Sequence, residues 1–319
     1  MRELVELWRF REVLFNLVRR NLKVRYKNSV LGFFWSLLNP LMQIAVWWLV
    51  FKVILGNEQK DYTAELITGF LPWLFFSQCV LDSTACVTQE MALVKKAYFP
   101  RAILPLSALF SNLIHLGFAF LVAVILFIIW RVDVNVHYLL VIPGTLLVSV
   151  FAYGISTMVA AWSVFYSDVK FIVGNLLGLW FFLTPVLYPL NLVLQKRVED
   201  ADNLLKGMIN WALPYIKSLY LLDPVAISML GYRSGLLRGG QNPIIVPLDL
   251  GPAEQAASAA EKAHLIAQAE AQARATEAAL RAQYPILHYV IGASLIALAT
   301  AIVGHLIFRR LSRVFAERG

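Results

Sequence analysis

Charge is scarce in this chain. Of its 319 residues, 15% are charged against 59% hydrophobic, and mean hydropathy is +0.66. A soluble domain carries about 25% charged residues. The apolar surplus has no place in a soluble globule, which excludes a soluble enzyme. Cysteine is nearly absent as well. Cys79 and Cys86 lie in one apolar run, about 10 Å apart along a helix, and a disulfide needs Cα atoms within about 7 Å. They are therefore expected to be small core- or lipid-facing residues. There is no Gly-x-x-x-x-Gly-Lys-Ser/Thr loop, so the usual cradle for ATP phosphates is missing. There is no Cys/His cluster with metal spacing. Residues 1–28 are strongly charged without a short apolar core, which does not fit a secretory signal.

What is present is long apolar runs. They predict an all-α membrane protein with six transmembrane helices, at residues 30–55, 66–87, 103–130, 138–165, 171–190 and 286–308. Each is close to the ~20 residues that cross the hydrocarbon. Asn39-Pro40, Pro72 and Pro185 are expected to break the first, second and fifth, which neighbouring protein must then re-satisfy. Asp82 is the one acid within these runs. Ion-coupled carriers place partnered ionisable groups at mid-membrane, and a single acid supports that class little. His115 and His305 are expected to be satisfied bundle residues.

The net charge of +8, with pI near 9.5, sits in the few polar stretches. Given the membrane runs, it points to an anionic lipid surface or substrate and not to nucleic acid. Sixteen of the 28 Lys and Arg fall in residues 1–29, the loop after the second span, Lys170 and the tail. The short loops on the other side hold at most Lys52, Lys60 and Arg131. That bias predicts both termini in the cytoplasm.

The polar segments divide the chain further. Residues 1–29 form an expected amphipathic interface helix and basic segment, with Leu4, Leu7, Trp8, Leu14, Phe15, Val18 and Leu22 at helical spacing. Between positions 19 and 27 the five cations Arg19, Arg20, Lys23, Arg25 and Lys27 stand against no acids. They are either a positive-inside anchor or a site for anionic head groups, a diphosphate among them. Residues 30–190 carry spans one to five, with an elbow at 88–105. A short helix through Glu90, Lys95 and Lys96 is expected to stop at Phe99-Pro100-Arg101, as a plain connector or a piece that seats in a partner's groove. Residues 191–285 form an external segment. Its apolar runs around Pro214 and Pro224 are too short to span and read as re-entrant or interfacial helices. Its alanine-rich stretch, 252–284, reads as a solvated helix about 46 Å long, or a docking surface. Residues 286–308 are the sixth span and 309–319 the tail.

These residues together carry a family resemblance. Arg25-Tyr26-Lys27, Ser29-Val30-Leu31-Gly32, Trp35 and Asn39-Pro40-Leu41 resemble the opening of ABC-2 type permeases of bacterial polysaccharide exporters. Lys95-Lys96, Phe99-Pro100-Arg101 and Leu104-Pro105-Leu106 resemble that family's coupling loop. Asp168-Val169 with Thr184-Pro185-Val186-Leu187-Tyr188 is similar to its fifth span. Asp223-Pro224 with Tyr232-Arg233 is similar to its external re-entrant pair, and Phe308-Arg309-Arg310 with Phe315-Ala316 to its C-terminal end. The alanine-rich helix has no counterpart in short members.

The resemblance implies the permease half of an ATP-driven exporter in the bacterial inner membrane, built from two copies of this chain and two separate ABC ATPase subunits. No cofactor is expected in this chain, and ATP and Mg would lie on the ATPase. The substrate would be an undecaprenyl-diphosphate-linked glycan, O-antigen first, with capsule or teichoic acid as alternatives. Arg19, Arg20, Lys23, Arg25 and Lys27 would meet the head group as it enters, among membrane lipid. Glu90, Lys95, Lys96, Phe99, Pro100 and Arg101 would couple to the ATPase. Trp35, Trp47, Trp73, Phe76 and Tyr188 would line a glycan channel, unless they serve ordinary bundle packing. Asp223, Pro224, Tyr232 and Arg233 would form an external gate. An exporter of a small hydrophobic molecule, or an intramembrane enzyme or carrier using Asp82, His115 or His305, remains as an alternative class.

Overall fold

An apolar chain without water around it can satisfy its backbone polar groups by forming helices. In the computed structural model every regular element among the described residues is helical. These residues are 6, 8–25, 34–54, 62–131, 138–187, 215, 217–236, 264–269, 271–272, 275 and 286–315. Helix α1 spans Arg11–Arg25, and α2 spans Phe34–Trp48 and continues as a π-helical turn, Leu49–Ile54. Helix α3 is Tyr62–Ser83. A 3-10 turn at Thr88–Glu90 leads into the short α4, Met91–Lys96. Helix α5 is Ile103–Ile129, α6 is Val141–Ser163 and α7 is Val169–Leu183. Helix α8 is Pro224–Leu236 and α9 is Ile286–Ser312.

Among the described residues four stretches are long and apolar enough to cross a membrane: Tyr62–Ser83, Ile103–Ile129, Val141–Ser163 and Leu287–Ser312. They correspond to the second, third, fourth and sixth expected spans, with shifted ends. The second run stops short of residue 87, and at its end local hydroxyls share the last carbonyls. Ser83 Oγ donates to Cys79 O at 2.7 Å and Thr84 Oγ1 to Leu81 O at 2.7 Å. The fifth run is shorter than expected. Helix α7 ends at Leu183, Thr184 turns to extended backbone, and Pro185 follows with no N–H to continue the ladder.

Two proline expectations need correction. Pro40 and Pro72 sit inside uninterrupted helices and do not break them. A buried proline removes one backbone bond, but around Pro72 the residues Ile67, Phe70, Leu71, Trp73 and Phe75 are all buried. Tertiary packing on every side holds the helix through it.

Among the described residues three apolar clusters fix the arrangement. The main one joins α3, α5, α6, α7 and α8. A second lies at the end where α3 and α6 finish and α5 begins, and gathers Leu17, Val94, Phe99, Leu104, Phe308 and Phe315. This is the elbow end of the bundle. A third, with Leu221, Ile227, Leu230 and Ala293, lies at the opposite end, where helical residues 217–221 turn at Leu222 and Asp223 into α8, the hairpin end of the bundle. Helix α9 packs on α6 most closely at two glycines. A Cβ on Gly154 would collide with the backbone of Thr300 and Ala301, and one on Gly304 with the Gly154 carbonyl. Such small-residue contacts let apolar helices approach where no hydrophobic force separates lipid from protein. The outer faces of α5 and α9 expose Leu121, Ile125, Ile128, Leu295, Leu298 and Leu306, as lipid contact requires.

Candidate functional site

The expected site residues fall at the two ends of the bundle and around its middle. At the elbow end, α1 lies against the start of α5. Its apolar stripe is partly as expected: Val18 is buried and Leu14 half-buried, while Phe15 and Trp8 are exposed. Leu17, absent from the expected stripe, is buried in the elbow cluster. The cations ride the other face. Arg19, Arg20, Lys23 and Arg25 are exposed, and Lys27 lies outside the described residues. Two of them are paired: Arg20 with Glu90, and Arg25 with Asp82.

The elbow forms for a local reason. Residues 88–90 turn as 3-10 helix, α4 follows for six residues, and Ala97 leaves it extended. Val94 and Phe99 plug the elbow into the cluster, and Lys95, Lys96 and Tyr98 face out, Tyr98 being 90% exposed. Pro100 is half-buried, and Arg101 lies over the ring of Phe315, 5.9 Å from its centroid. Phe315 also stacks edge-on to Phe308 at 5.5 Å. The N-terminal helix, the elbow and the tail thus share one apolar seat.

At the hairpin end, residues 217–221 are helical, and Asp223 starts α8 with Pro224 in its first turn. Asp223 Oδ1 accepts from the Val225 N–H at 2.9 Å, a helix cap of the expected chemistry. Its other oxygen accepts from Trp180 Nε1 at 3.1 Å. Tyr232 pairs its hydroxyl with Thr145 Oγ1 at 2.7 Å. Arg233 is buried and donates through Nη2 to Pro185 O at 2.7 Å. Tyr62 donates to Leu187 O at 2.9 Å. Pro185 and Leu187 lie just beyond the end of α7, where no helical ladder takes up their carbonyls, and Arg233 and Tyr62 donate to them. Three of the four expected gate residues, Asp223, Tyr232 and Arg233, therefore tie α8 to α6 and to the end of α7, while Pro224 stands in its first turn. Trp180, Thr145 and Tyr62 are partners the sequence reading missed.

The aromatics are placed unevenly. Trp47 packs edge-on to Phe70 at 4.9 Å and stacks on Phe181 at 5.1 Å. Phe76 stacks on Phe151 at 5.4 Å and meets Trp180 at 5.2 Å. Trp73 and Phe76 are buried within the chain. Trp35 instead borders a cavity of about 310 Å³. Tyr188 lies outside the described residues.

The same cavity is lined by Arg25, Gln78, Asp82, Asn112 and His115. Asp82 is a residue the sequence reading undervalued, and Asn112 one it missed. The signal was an acid inside an apolar run, which calls for a named partner. His305 is bonded to the Tyr153 hydroxyl through Nδ1 at 2.7 Å, as a satisfied bundle residue. Among the described residues no group of three His, Cys, Asp or Glu is placed to hold a metal.

Comparison with known proteins gives a consistent family. Residues 12–197 match the model of the ABC-2 type transporter family. The chain is 32% identical over 215 residues to a Myxococcus xanthus protein named O-antigen export system permease protein RfbA, covering 67% of this chain and 83% of that one. It is 27% identical over 232 residues to a protein of the same name from Klebsiella pneumoniae, covering 72% and 82%. The family match covers more than half the chain, including α3, α5, α6 and α7, and it agrees with a bundle of membrane-length apolar helices: the chain belongs to the ABC-2 type transporter family.

Proposed function

We propose that this chain is the permease subunit of an ATP-driven exporter that carries a lipid-diphosphate-linked polysaccharide, O-antigen first, across the bacterial inner membrane. The observation that carries this reading is the likeness, over two thirds of the chain, to proteins named O-antigen export permeases. In the working complex two copies of the chain stand with two ABC ATPase subunits, which hold ATP and Mg. Six spans place both termini in the cytoplasm, so the elbow end faces the ATPases and the hairpin end faces out, with α8 as part of a re-entrant pair.

The geometry supports this division of labour. The outward side chains Lys95, Lys96 and Tyr98 stand on an elbow whose root is packed against α1 and the tail. A push on that elbow reaches α1 through Arg20 and Glu90. The cations of α1 offer phosphate oxygens forks and point charges. At the far end, Asp223, Tyr232 and Arg233 hold a short buried helix against the exit side of α6 and α7. Of the five expected channel aromatics, the exposed Trp35 and the half-buried Trp47 offer apolar faces suited to sugar rings once two copies meet, whereas Trp73 and Phe76 are spent on bundle packing.

The test is ATP-driven movement of an undecaprenyl-diphosphate-linked glycan in proteoliposomes holding this chain with and without the ATPase encoded beside it. Transport that needs both chains is expected. Transport or cleavage by this chain alone overturns the reading. Movement of capsule or teichoic acid precursors in preference to O-antigen keeps the exporter and changes its cargo.

A further inference from the structure

Three helices meet at Arg25, which closes α1. Its Nη1 donates to Asn112 Oδ1 of α5 at 3.2 Å, and its Nη2 pairs with Asp82 Oδ2 of α3. Asn112 Nδ2 donates to that same Asp82 oxygen at 2.8 Å. One carboxylate oxygen therefore collects two donors, and three side chains close a ring. Asn112 is itself fixed, since its Nδ2 also reaches Ala108 O at 3.0 Å.

The ring borders the 310 Å³ cavity and forms its polar end, together with Gln78 and His115. Along α3 the lining runs from Asp82 up to Leu71, about 16 Å at 1.5 Å per residue. A shallow apolar cleft of only about 10 Å³ adjoins it between Ile44, Ile67 and Leu126, and the two spaces share Pro40, Leu71 and Ala119. The larger space has room for a compact anionic head at its polar end. The cleft beside it offers an apolar surface along which a hydrocarbon chain can lie.

The anion now at the head position is Asp82. A guanidinium fork accepts carboxylate and phosphate oxygens in the same planar geometry. The Arg25 and Asp82 side chains are 33% and 32% exposed. Neither charge is locked in a dry interior, where parting them would leave a costly unpaired ion. Neither side chain is enclosed by the chain, so an incoming anion can reach Arg25 and the pair can exchange.

We propose that Asp82 holds the place of a phosphate. The cavity binds the phosphate end of a polyprenyl phosphate amphiphile, which takes Arg25 and Asn112 from Asp82 while its chain lies along the cleft toward Leu126. Asp82 sets the threshold for binding, because a weak anion does not displace it. This rests on the exporter reading above and names where in this chain its lipid carrier is first held.

The experiment uses the full chain with its ATPase in phosphatidylcholine nanodiscs and a radiolabelled polyprenyl diphosphate without glycan. Asp82→Asn, which keeps the shape and removes the competing charge, is expected to bind about tenfold more tightly. Asp82→Glu keeps the charge and is expected to bind as the parent does. Arg25→Gln is expected to lose about tenfold, with or without Asp82→Asn. Melting temperatures of all variants show whether each is folded. Inorganic diphosphate is expected to compete at least about a hundredfold less well, since it leaves the apolar cleft empty. Equal competition by inorganic diphosphate, or by phosphatidylglycerol, overturns the proposal, because the site would then select no polyprenyl chain. Unchanged or weaker binding by a folded Asp82→Asn protein also overturns it. That last result beside intact ATP-driven glycan transport removes the role of Asp82 and leaves the exporter standing. Loss of transport in the parent complex beside the expected binding pattern removes the exporter and leaves the site.

Discussion

Arg20 of the N-terminal helix is paired with Glu90 at the root of the elbow, and Glu90 is the buried partner of the two. The pair joins segments that lie far apart in sequence and puts a charged link between the basic helix and the surface proposed to meet the ATPase. Arg20 is half exposed, so the pair adds little to stability, about 0–1 kcal/mol. Its weight falls on coupling. Arg20→Glu or Glu90→Arg alone is expected to lower glycan-stimulated ATPase activity, and the two together to restore a substantial part of it. Equal loss in the double variant would show that the pair is not the link.

Neighbouring residues of the elbow should behave in opposite ways. Phe99 is buried in the elbow cluster, and Phe99→Ala is expected to destabilise the protein by about 3–5 kcal/mol. Tyr98 is almost fully exposed. Tyr98→Ala should leave the stability within about 0.5 kcal/mol of the parent and still lower coupled ATPase activity. Thermal unfolding and ATPase assays on the same preparations separate the two effects.

Helix α9 can stay close to α6 only while residues 154 and 304 carry no side chain. Gly154→Ala and Gly304→Ala each drive a Cβ into backbone and are expected to destabilise by about 1–3 kcal/mol. Gly178 of α7 has open space at its Cβ position, so Gly178→Ala is expected to be neutral or stabilising by up to about 1 kcal/mol. Unfolding midpoints in one detergent compare all three.

At the hairpin end, Arg233 satisfies the carbonyl of Pro185 where α7 stops. Arg233→Met keeps most of the volume and removes the donor. It is expected to cost about 1–3 kcal/mol and to speed amide exchange at Thr184 and Val186, whose N–H groups bond to Trp180 O and Thr184 O. Unchanged exchange there would show that Tyr62, through Leu187 O, holds the segment without help.

Much of the helical scaffold was legible beforehand. The apolar runs at residues 103–130 and 138–165 became α5 and α6 with ends shifted by no more than three residues. The elbow helix stopping before Phe99-Pro100 was visible from local composition. Proline was misleading at Pro40 and Pro72, since the penalty it predicts is local and the packing that outweighs it is not. The site was legible only in halves. Arg25 and Asp82 were each noticed, one as an anchor or anion site and the other as a single acid, but nothing near either one names the other.

The amino-acid order therefore settles what each segment does with itself. Hydrophobic run length and the want of water in a bilayer force helix, and cap chemistry such as Asp223-Pro224 sets where one begins. Which side chains meet is settled by folding in three dimensions. Arg25 reaches Asp82 across 57 positions and Asn112 across 87, and Tyr232 reaches Thr145 across 87. Helical periodicity carries information over a turn or two, whereas these contacts depend on how α1, α3 and α5, or α6 and α8, pack. A cavity with a polar end and an apolar length arises from that packing and from no single segment.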